Sequence, residues 1–232
     1  DGGGFEFRLE VVLLRGGHDD SLLPEMPPAT CGGLCYFSAN AKVPATNGRV
    51  VRPIPDPASG PRPMAAPPTR RKISAVDTAW LRMDRPHNVM MISGVLMFRE
   101  RLEIATLRRV VEERFLVFPR FRQRPAELAG VAVWETDRDF DLERHVVHTA
   151  LPGAAGRKEL QALVSRLATT PLDPARPRWQ FHLVDRYDGG SAVVVRIHHC
   201  YADGIALVRV LLSMTDASAH GPPAMPFEPP KR

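Results

Sequence analysis

The chain has 232 residues, of which 44% are hydrophobic and 25% are charged, a balance that is ordinary for a globular protein with a packed core. Its formal net charge is +5, but no reader motif accompanies the arginines, so we expect no nucleic-acid partner. The three cysteines form neither a disulfide framework nor two pairs at zinc-ligand spacing, so we expect a reducing cytoplasm and no metal site.

Proline divides the chain into three parts, because 11 of the 23 prolines lie in residues 1–70 and five more lie in the last eleven residues. Proline removes a backbone donor and restrains its neighbours, so we predict that residues 1–70 are a disordered or non-domain extension with one short strand, Phe5 to Leu14. Residues 71–216 are predicted to form the folded domain, and residues 217–232 a proline-rich tail or the start of a linker. The sequence contains no apolar run that is long enough for a transmembrane helix.

The folded domain is predicted to begin with a capped helix. Ser74 matches an N-cap and Asp77 lies near the positive end of the helix, which we expect to run through Met83. Residues 89–98 are strand-like and apolar on both faces, which is typical of a central strand. Apolar residues at helical spacing then predict an amphipathic helix over residues 102–117.

A basic segment follows that helix. Pro119 and Pro125 enclose Arg120, Arg122 and Arg124, and we predict that this segment is irregular and that its arginines are solvated.

The second half of the domain alternates strands and helices. We predict strands at 131–135, 140–147, 179–185 and 191–197, a helix at 157–169, and a hairpin turn at 188–190. His145 and His148 have no thiol or carboxylate nearby in the sequence, so we interpret them as structural or surface residues. This order of elements predicts an α/β sandwich with a mixed sheet flanked by helices.

The seven residues His198–Gly204 lie between the last predicted strand and an apolar run that is typical of a buried helix. Successive strand residues point to opposite faces, so His198 and His199 cannot share a face, and one of them should face a cleft. A neutral imidazole beside a cleft can act as a general base, Asp203 can fix the loop or pair with a buried arginine, and Gly204 leaves room for backbone or substrate. The alternative is a pair of core histidines followed by an Asp-Gly turn, but the flanking strand and helix favour the functional interpretation.

These residues resemble a known family. The His-His-x-x-x-Asp-Gly motif at 198–204 resembles the active-site motif of the CoA-dependent acyltransferase superfamily, which includes chloramphenicol acetyltransferase and peptide-synthetase condensation domains. Residues 171–183 resemble the "PLD..RP.W..HL" segment of bacterial wax ester synthase/diacylglycerol acyltransferases, and residues 73–81 resemble the opening segment of that family. The resemblance covers about residues 72 to 216.

The resemblance implies one lobe of a chloramphenicol acetyltransferase-like fold and a reaction between acyl-CoA and a diacylglycerol or fatty alcohol. It implies that His199 is the general base, that His198 supports the site and that Asp203 orients the loop. Gly204 would then leave space for the substrate, and Trp179 would brace the wall of the substrate channel. No covalent acyl-enzyme, metal or other cofactor is required.

Members of this family carry a second lobe of comparable size. The resemblance therefore implies that this chain is the N-terminal half of such an enzyme, with residues 217–232 at the start of the inter-lobe linker and a C-terminal lobe as its partner. We expect little activity from the chain alone and an apolar face where the second lobe docks. We also expect peripheral association with the inner membrane or with lipid droplets.

Two other functions remain open. A condensation-type domain that uses carrier-protein thioesters would also use His199, and a non-catalytic lipid-surface module would use the basic segment around Arg120 to Arg124. A nucleophilic role for Cys200 is disfavoured, because the two histidines already account for the chemistry of the motif.

Overall fold

The computed structural model describes residues 5–12 and 36–43 as backbone, and residues 70–202 and 204–214 with their side chains except those of Gly204 and Ile205. The strands in these residues are β1 Phe5–Val12, β2 Tyr36–Val43, β3 Arg71–Lys72, β4 Met91–Phe98, β5 Gln123–Leu128, β6 Val131–Thr136, β7 Val146–His148, β8 Trp179–Tyr187 and β9 Gly190–His198. The helices are α1 Ala75–Met83, α2 Ile104–Val110, α3 Leu142–His145, α4 Arg157–Thr169 and α5 Gly204–Ser213. A π-helical turn, Val111–Phe115, continues α2, and a 3₁₀ turn, Pro119–Arg122, precedes β5.

The strands form two sheets. The larger sheet has the order β2-β1-β4-β9-β8-β7 and is antiparallel except for the parallel pair β7–β8. The smaller sheet has the order β3-β6-β5 and is antiparallel. Every residue of β9 is buried, as the run of β-branched residues predicts. The predicted fold class, a mixed sheet flanked by helices, is confirmed.

Packing on the two faces of β9 differs. Val193, Val195 and Ile197 belong to the larger apolar core, which also contains residues of the π-helical turn and α5. Ala192 and Val194 face the smaller core, which is covered by one leucine-rich stripe of α4. Alternate side chains of β9 therefore pack into the two cores, one on each face of the sheet.

Aromatic side chains fill the larger core. The Phe115 ring stacks on Phe121 at 3.9 Å between centroids and contacts the edges of Trp179 at 4.8 Å and Phe181 at 5.2 Å. The π-helical turn carries Phe115 into this position, so the turn serves packing.

The turn between β8 and β9 confirms the predicted hairpin. Asp188 and Gly189 both have positive φ, at 50° and 78°, as a two-residue type I′ turn requires. Gly190 follows, and a Cβ atom there would collide with the carbonyl of Phe98 on β4. The Asp-Gly-Gly sequence therefore allows both the turn and the close approach of β4.

Two predicted elements were wrong. The segment from Pro119 to Pro125, predicted to be irregular, contains a 3₁₀ turn and the first residues of β5. Strand β5 lies at the edge of the smaller sheet, where a proline is tolerated. In the predicted strand 140–147, the helical turn α3 intervenes, and the Asp141 carboxylate caps it by accepting from the Glu143 N–H at 3.0 Å.

Two segments of the expected N-terminal extension lie in the larger sheet. The strand β1 overlaps the predicted strand, its apolar and charged residues alternate, and it pairs with β4. The strand β2 pairs with β1 and was not predicted, because the surrounding prolines dominate that region. The rest of residues 1–69 and residues 215–232 lie outside the described residues, so the domain boundaries stay a prediction.

Tyr201, in the loop after β9, joins the two sheets. Its hydroxyl donates to the Gln123 carbonyl of the smaller sheet at 2.7 Å and accepts from the Arg178 N–H at 2.9 Å. The ring stacks on Phe121 at 5.8 Å and meets Trp134 edge-on at 4.9 Å. Burial raises the pKa of Tyr201 well above its ordinary value, so the hydroxyl keeps its proton.

A buried polar cluster lies on the α4 side of β9. The Arg196 guanidinium is 2% exposed and donates to the Gln180 side chain at 3.1 Å and to the Thr170 carbonyl at the negative end of α4. The two ring nitrogens of His182 lie 3.3 Å from Gln180 Oε1 and 3.2 Å from Thr149 Oγ1. Burial lowers the pKa of Arg196 to about 10.

The protonation of His182 makes stability depend on pH. Burial, followed by the charges of Arg196 and Arg166, lowers the pKa of His182 to about 4 from 6.5. As the pH falls below 6.5, the unfolded chain takes up this proton before the folded chain does, so stability is lost until the pH reaches about 4. The loss from this residue is at most about 3 kcal/mol.

We expect His182→Gln to reduce this loss, because glutamine does not titrate. Urea unfolding at about pH 7 and at about pH 4.5 measures the effect, and the variant should lose less stability than the wild type by about 2 kcal/mol. Burial also lowers the pKa of His145, which is present in both proteins, so the difference isolates His182. Equal pH dependence in the two proteins would contradict the assignment.

We expect Tyr201→Phe to destabilise the domain by about 1–3 kcal/mol, because the ring stays while a buried N–H and a carbonyl lose their partner. Urea unfolding of both proteins measures this loss. The control is Thr78→Val, which removes an exposed hydroxyl that donates to the Ser74 carbonyl at 2.8 Å and should cost less than about 0.5 kcal/mol. A loss no larger than that of the control would rule out the proposed link between the sheets.

Candidate active site

The motif begins where β9 leaves the sheet. The His198 N–H donates to the Arg178 carbonyl at 3.0 Å, and the His199 N–H donates to the Met90 carbonyl at 2.9 Å. These two carbonyls belong to the segments that lead into β8 and β4, on opposite sides of β9. Hydrogen bonding therefore continues in strand fashion through both histidines, and their side chains point to opposite faces.

His198 is the buried histidine of the pair, with 3% of its surface exposed. Its Nδ1 accepts from the Cys200 N–H at 3.1 Å, which assigns the proton of the neutral ring to Nε2. That Nε2 lies 3.3 Å from the Asp84 carboxylate. His198 thus connects the turn of the motif to a carboxylate from another part of the chain.

Asp84 is a residue of the site that the sequence did not reveal. It follows the last residue of α1, and its N–H donates to the Trp80 carbonyl at 3.2 Å. Its Oδ1 accepts from the Met90 N–H at 3.0 Å, and its Oδ2 lies 3.5 Å from the Arg178 guanidinium. The sequence near Asp84 gives one hint, a polar residue between a predicted helix and a predicted buried strand. No neighbouring residue links Asp84 to the motif at 198–204.

The carboxylate of Asp84 is ionised at neutral pH. Burial raises its pKa, but the nearby His198 imidazole, the hydrogen bond from the Met90 N–H and the charge of Arg178 outweigh burial and hold the pKa below its ordinary value. Asp84 therefore offers two full acceptor oxygens to its neighbours.

His199 is half-buried, and one face of its ring lies on the indole of Trp80. The two ring centroids are 3.9 Å apart and the planes differ by 22°. Helix α1 supplies Trp80, and the Ser74 side chain caps α1 by accepting from the Asp77 N–H at 3.1 Å, as the sequence predicts. The interpretation as a core histidine therefore fits His198, while His199 keeps a partly open ring.

Trp179 is fully buried and braces the aromatic core. Its Nε1–H donates to the Phe121 carbonyl at 2.8 Å, and its own carbonyl accepts from His145 Nδ1 at 2.8 Å. Its aromatic neighbours, none of them in the motif, are Phe115, Phe140, His145 and Phe181.

The structure describes the remaining candidate residues of the motif to different extents. Cys200 is fully buried, and burial raises the pKa of its thiol, which argues against a nucleophile. Asp203 lies outside the described residues. Gly204 is the first residue of α5, and the structure describes its backbone only. The predicted roles of Asp203 and Gly204 stay predictions.

The arginines of the basic segment are half-buried, which corrects the prediction that they are solvated. The Arg120 guanidinium lies 4.4 Å above the Trp134 ring, and that of Arg122 lies 5.2 Å from the Phe140 ring. Arg124 forms an ion pair with Glu135 at 2.8 Å. The guanidinium groups of Arg120 and Arg122 therefore lie over aromatic rings, a use that charge alone does not reveal.

The described residues contain no group of three or more His, Cys, Asp or Glu that could hold a metal ion. In this same part of the chain, no helix has both the length and the apolar character needed to cross a membrane.

Comparison with known structures places this site in a recognised fold. A wax ester synthase/diacylglycerol acyltransferase from Marinobacter aquaeolei VT8 superimposes with a TM-score of 0.52 and 27% identity, over 60% of this chain and 35% of that chain. The starter condensation domain of rhizomide synthetase superimposes with a TM-score of 0.54 and 16% identity, over 63% of this chain and 36% of that chain. The second likeness shows the fold alone.

Comparison with curated sequences identifies relatives in mycobacteria. A probable diacylglycerol O-acyltransferase, tgs3, of Mycobacterium tuberculosis is 32% identical over 162 residues, which cover 67% of this chain and 59% of that protein. A putative diacylglycerol O-acyltransferase of Mycobacterium bovis is 42% identical over 108 residues, which cover 45% of this chain and 21% of that protein. The match thus spans little more than half of the first relative and about a fifth of the second.

The family model described as the wax ester synthase/diacylglycerol acyltransferase catalytic domain matches residues 73–232, which is more than half of the chain. The site at the end of β9 lies within the matched residues. The chain therefore belongs to the wax ester synthase/diacylglycerol acyltransferase family.

Proposed function

We propose that this chain carries the general base of an O-acyltransferase, which moves a fatty acyl group from acyl-CoA to the hydroxyl of a diacylglycerol or a long-chain alcohol. The products are a triacylglycerol or a wax ester, together with free CoA. The observation that carries the proposal is the half-buried ring of His199, held against Trp80 at the exit of a fully buried strand. The names of the mycobacterial relatives and of the Marinobacter enzyme support this choice of reaction.

In the proposed reaction, His199 removes the hydroxyl proton as the acceptor oxygen attacks the thioester carbonyl carbon. The tetrahedral intermediate then collapses, the carbon–sulfur bond breaks, and the CoA thiolate takes the proton back from the imidazolium. General-base catalysis of this kind contributes about 10²–10⁴-fold, and alignment of the two substrates contributes more. The steps use no covalent acyl-enzyme and no metal.

The other residues of the motif support this step in the proposal. His198, on the opposite face of the strand end, fixes the turn through its bond to Cys200. Asp203 orients the loop before α5, Gly204 leaves space for the substrate, and Trp179 braces the wall behind the site.

We further propose that a second lobe completes the substrate channel. The matched region is 59% of the length of the Mycobacterium tuberculosis relative and 35% of the Marinobacter chain, so both proteins contain further sequence outside the matched region. Lipid substrates and a net charge of +5 support contact with an anionic membrane or lipid-droplet surface.

We expect His199→Ala to lower the rate of transfer by about 10²–10⁴-fold. The assay follows radioactive palmitoyl-CoA into triacylglycerol or wax ester, with the chain alone and with the separately produced C-terminal part of the Mycobacterium tuberculosis relative. We expect little transfer by the chain alone and clear transfer by the pair.

The control for this variant is His148→Ala, since His148 is exposed and lies 3.3 Å from Asp185, away from the motif. Its rate should stay within about twofold of the wild type. Thermal unfolding completes the comparison, because a large destabilisation by His199→Ala would favour a core histidine. An unchanged rate in His199→Ala would refute the assignment of the base.

Competition between donors separates this function from a condensation domain. We expect acyl-CoA to be used and an acyl group on a carrier-protein thioester to compete poorly. The opposite preference would favour the condensation reaction. Flotation with anionic liposomes that survives His199→Ala, without transfer by the chain or by the pair, would favour a lipid-surface module.

A further inference from the structure

We propose that Asp84 is a positioning residue, which keeps the His198 proton on Nε2 and thereby holds the turn that presents His199. The inference rests on the proposed function for the role of His199 as the base. Asp84 acts through its neighbours, and its effect on the reaction follows from the position it imposes on the motif.

The carboxylate of Asp84 accepts two hydrogen bonds and lies against the imidazole of His198. The Met90 N–H lies 3.0 Å from Oδ1, while His198 Nε2 and an Arg178 guanidinium nitrogen lie 3.3 Å and 3.5 Å from Oδ2. These three groups come from the residue before β4, the end of β9 and the segment before β8. One side chain therefore ties together the three strands that surround the motif.

Two of these contacts control the backbone on both sides of His199. Met90 donates its N–H to Asp84 and accepts the N–H of His199 at its carbonyl, at 2.9 Å. On the other side of His199, the ring of His198 fixes the backbone of Cys200, whose N–H donates to Nδ1 of that ring. The contacts of Asp84 thus affect His198 and, through their neighbours, Cys200 and the backbone N–H of His199.

A third contact reaches the surface on which the His199 ring lies. The N–H of Asp84 donates to the Trp80 carbonyl at 3.2 Å and ends helix α1 there. Asp84 therefore fixes both the backbone of His199 and the segment that carries its stacking partner.

In the part of the chain that the structure describes, few charged groups surround this centre. The Arg178 guanidinium faces the carboxylate directly, and Arg85 donates to the backbone carbonyl of Asp84 at 2.8 Å. Asp77 and Arg120 act on the neighbouring Cys200 by their charge. In the described residues, Asp84 is the carboxylate that lies against the imidazole of His198.

Asparagine at this position cannot satisfy the same donors. Its amide has one oxygen, so its NH₂ group must face either the Met90 N–H or the protonated Nε2 of His198. If the ring of His198 moves its proton to Nδ1, that proton faces the Cys200 N–H. Every arrangement in Asp84→Asn loses one of the contacts that hold the turn.

The test is ¹⁵N NMR of the histidine side chains in the full 232-residue chain, with His198→Gln to assign the resonances. We expect the His198 proton on Nε2 in the wild type and in Asp84→Glu, which keeps both oxygens. In Asp84→Asn we expect it on Nδ1 or exchanging between the two nitrogens. The matched control is Asp141→Asn, which neutralises an exposed carboxylate at the N-cap of α3 and should leave the spectrum of His198 unchanged.

The transfer assay gives the second readout, with the C-terminal part of the mycobacterial relative supplied. We expect Asp84→Asn to lower kcat by about 10- to 100-fold with KM for acyl-CoA within about twofold, because the base is misplaced and the donor site is not. Asp84→Glu should recover at least about tenfold of that loss.

A His198 proton on Nδ1 in the wild type would overturn the proposal, as would an unchanged ring and an unchanged kcat in Asp84→Asn. If Asp84→Asn does not fold, the wild-type proton position and the spectrum of Asp84→Glu decide the question. A wild type that shows no transfer, with the ring responding as expected, would count against the proposed function and still support the positioning by Asp84.

Discussion

The complete burial of β9 is the constraint on which the rest of the structure depends. Both of its edges are paired, with β4 on one side and β8 on the other, and both of its faces are covered by apolar cores. A shift of one residue would move every side chain of the strand to the wrong face, so the register is firmly set. The position at which the strand ends, and therefore the position of His198 and His199, is set by the same packing.

The polar groups at the end of β9 need other hydrogen-bond partners, because the pairing with neighbouring strands stops there at the edge of the core. Those partners come from separate parts of the chain: Asp84 and Met90 from the connection between α1 and β4, and Arg178 from the segment before β8. Tyr201 adds the smaller sheet to this set. The site is therefore built where four segments meet, and the domain has to fold as a whole before the motif takes its shape.

Much of the fold follows from local sequence patterns, because period and punctuation are local properties. The cap of α1, the helix α4, the hairpin between β8 and β9, and the strand β9 itself were all predicted from neighbouring residues. The two histidines of the motif were found in the same way. The contacts of Asp84 and Tyr201 could not be predicted in this way, because Arg178 lies 94 residues from Asp84 and Gln123 lies 78 residues from Tyr201, and no periodicity in the sequence links them. The strand β5 was missed because Pro125 signals a break unless the edge position is known.

The stacking of His199 on Trp80 also gives the protein a built-in optical reporter. A protonated imidazole in contact with an indole quenches its fluorescence, and the ring of Trp80 lies 3.9 Å from that of His199. The other two tryptophans, Trp134 and Trp179, are almost wholly enclosed, and burial keeps the pKa of His145, the histidine beside Trp179, below its ordinary value. The emission of Trp80 is therefore the tryptophan signal in direct contact with the ring that we propose as the base, and it needs no added dye.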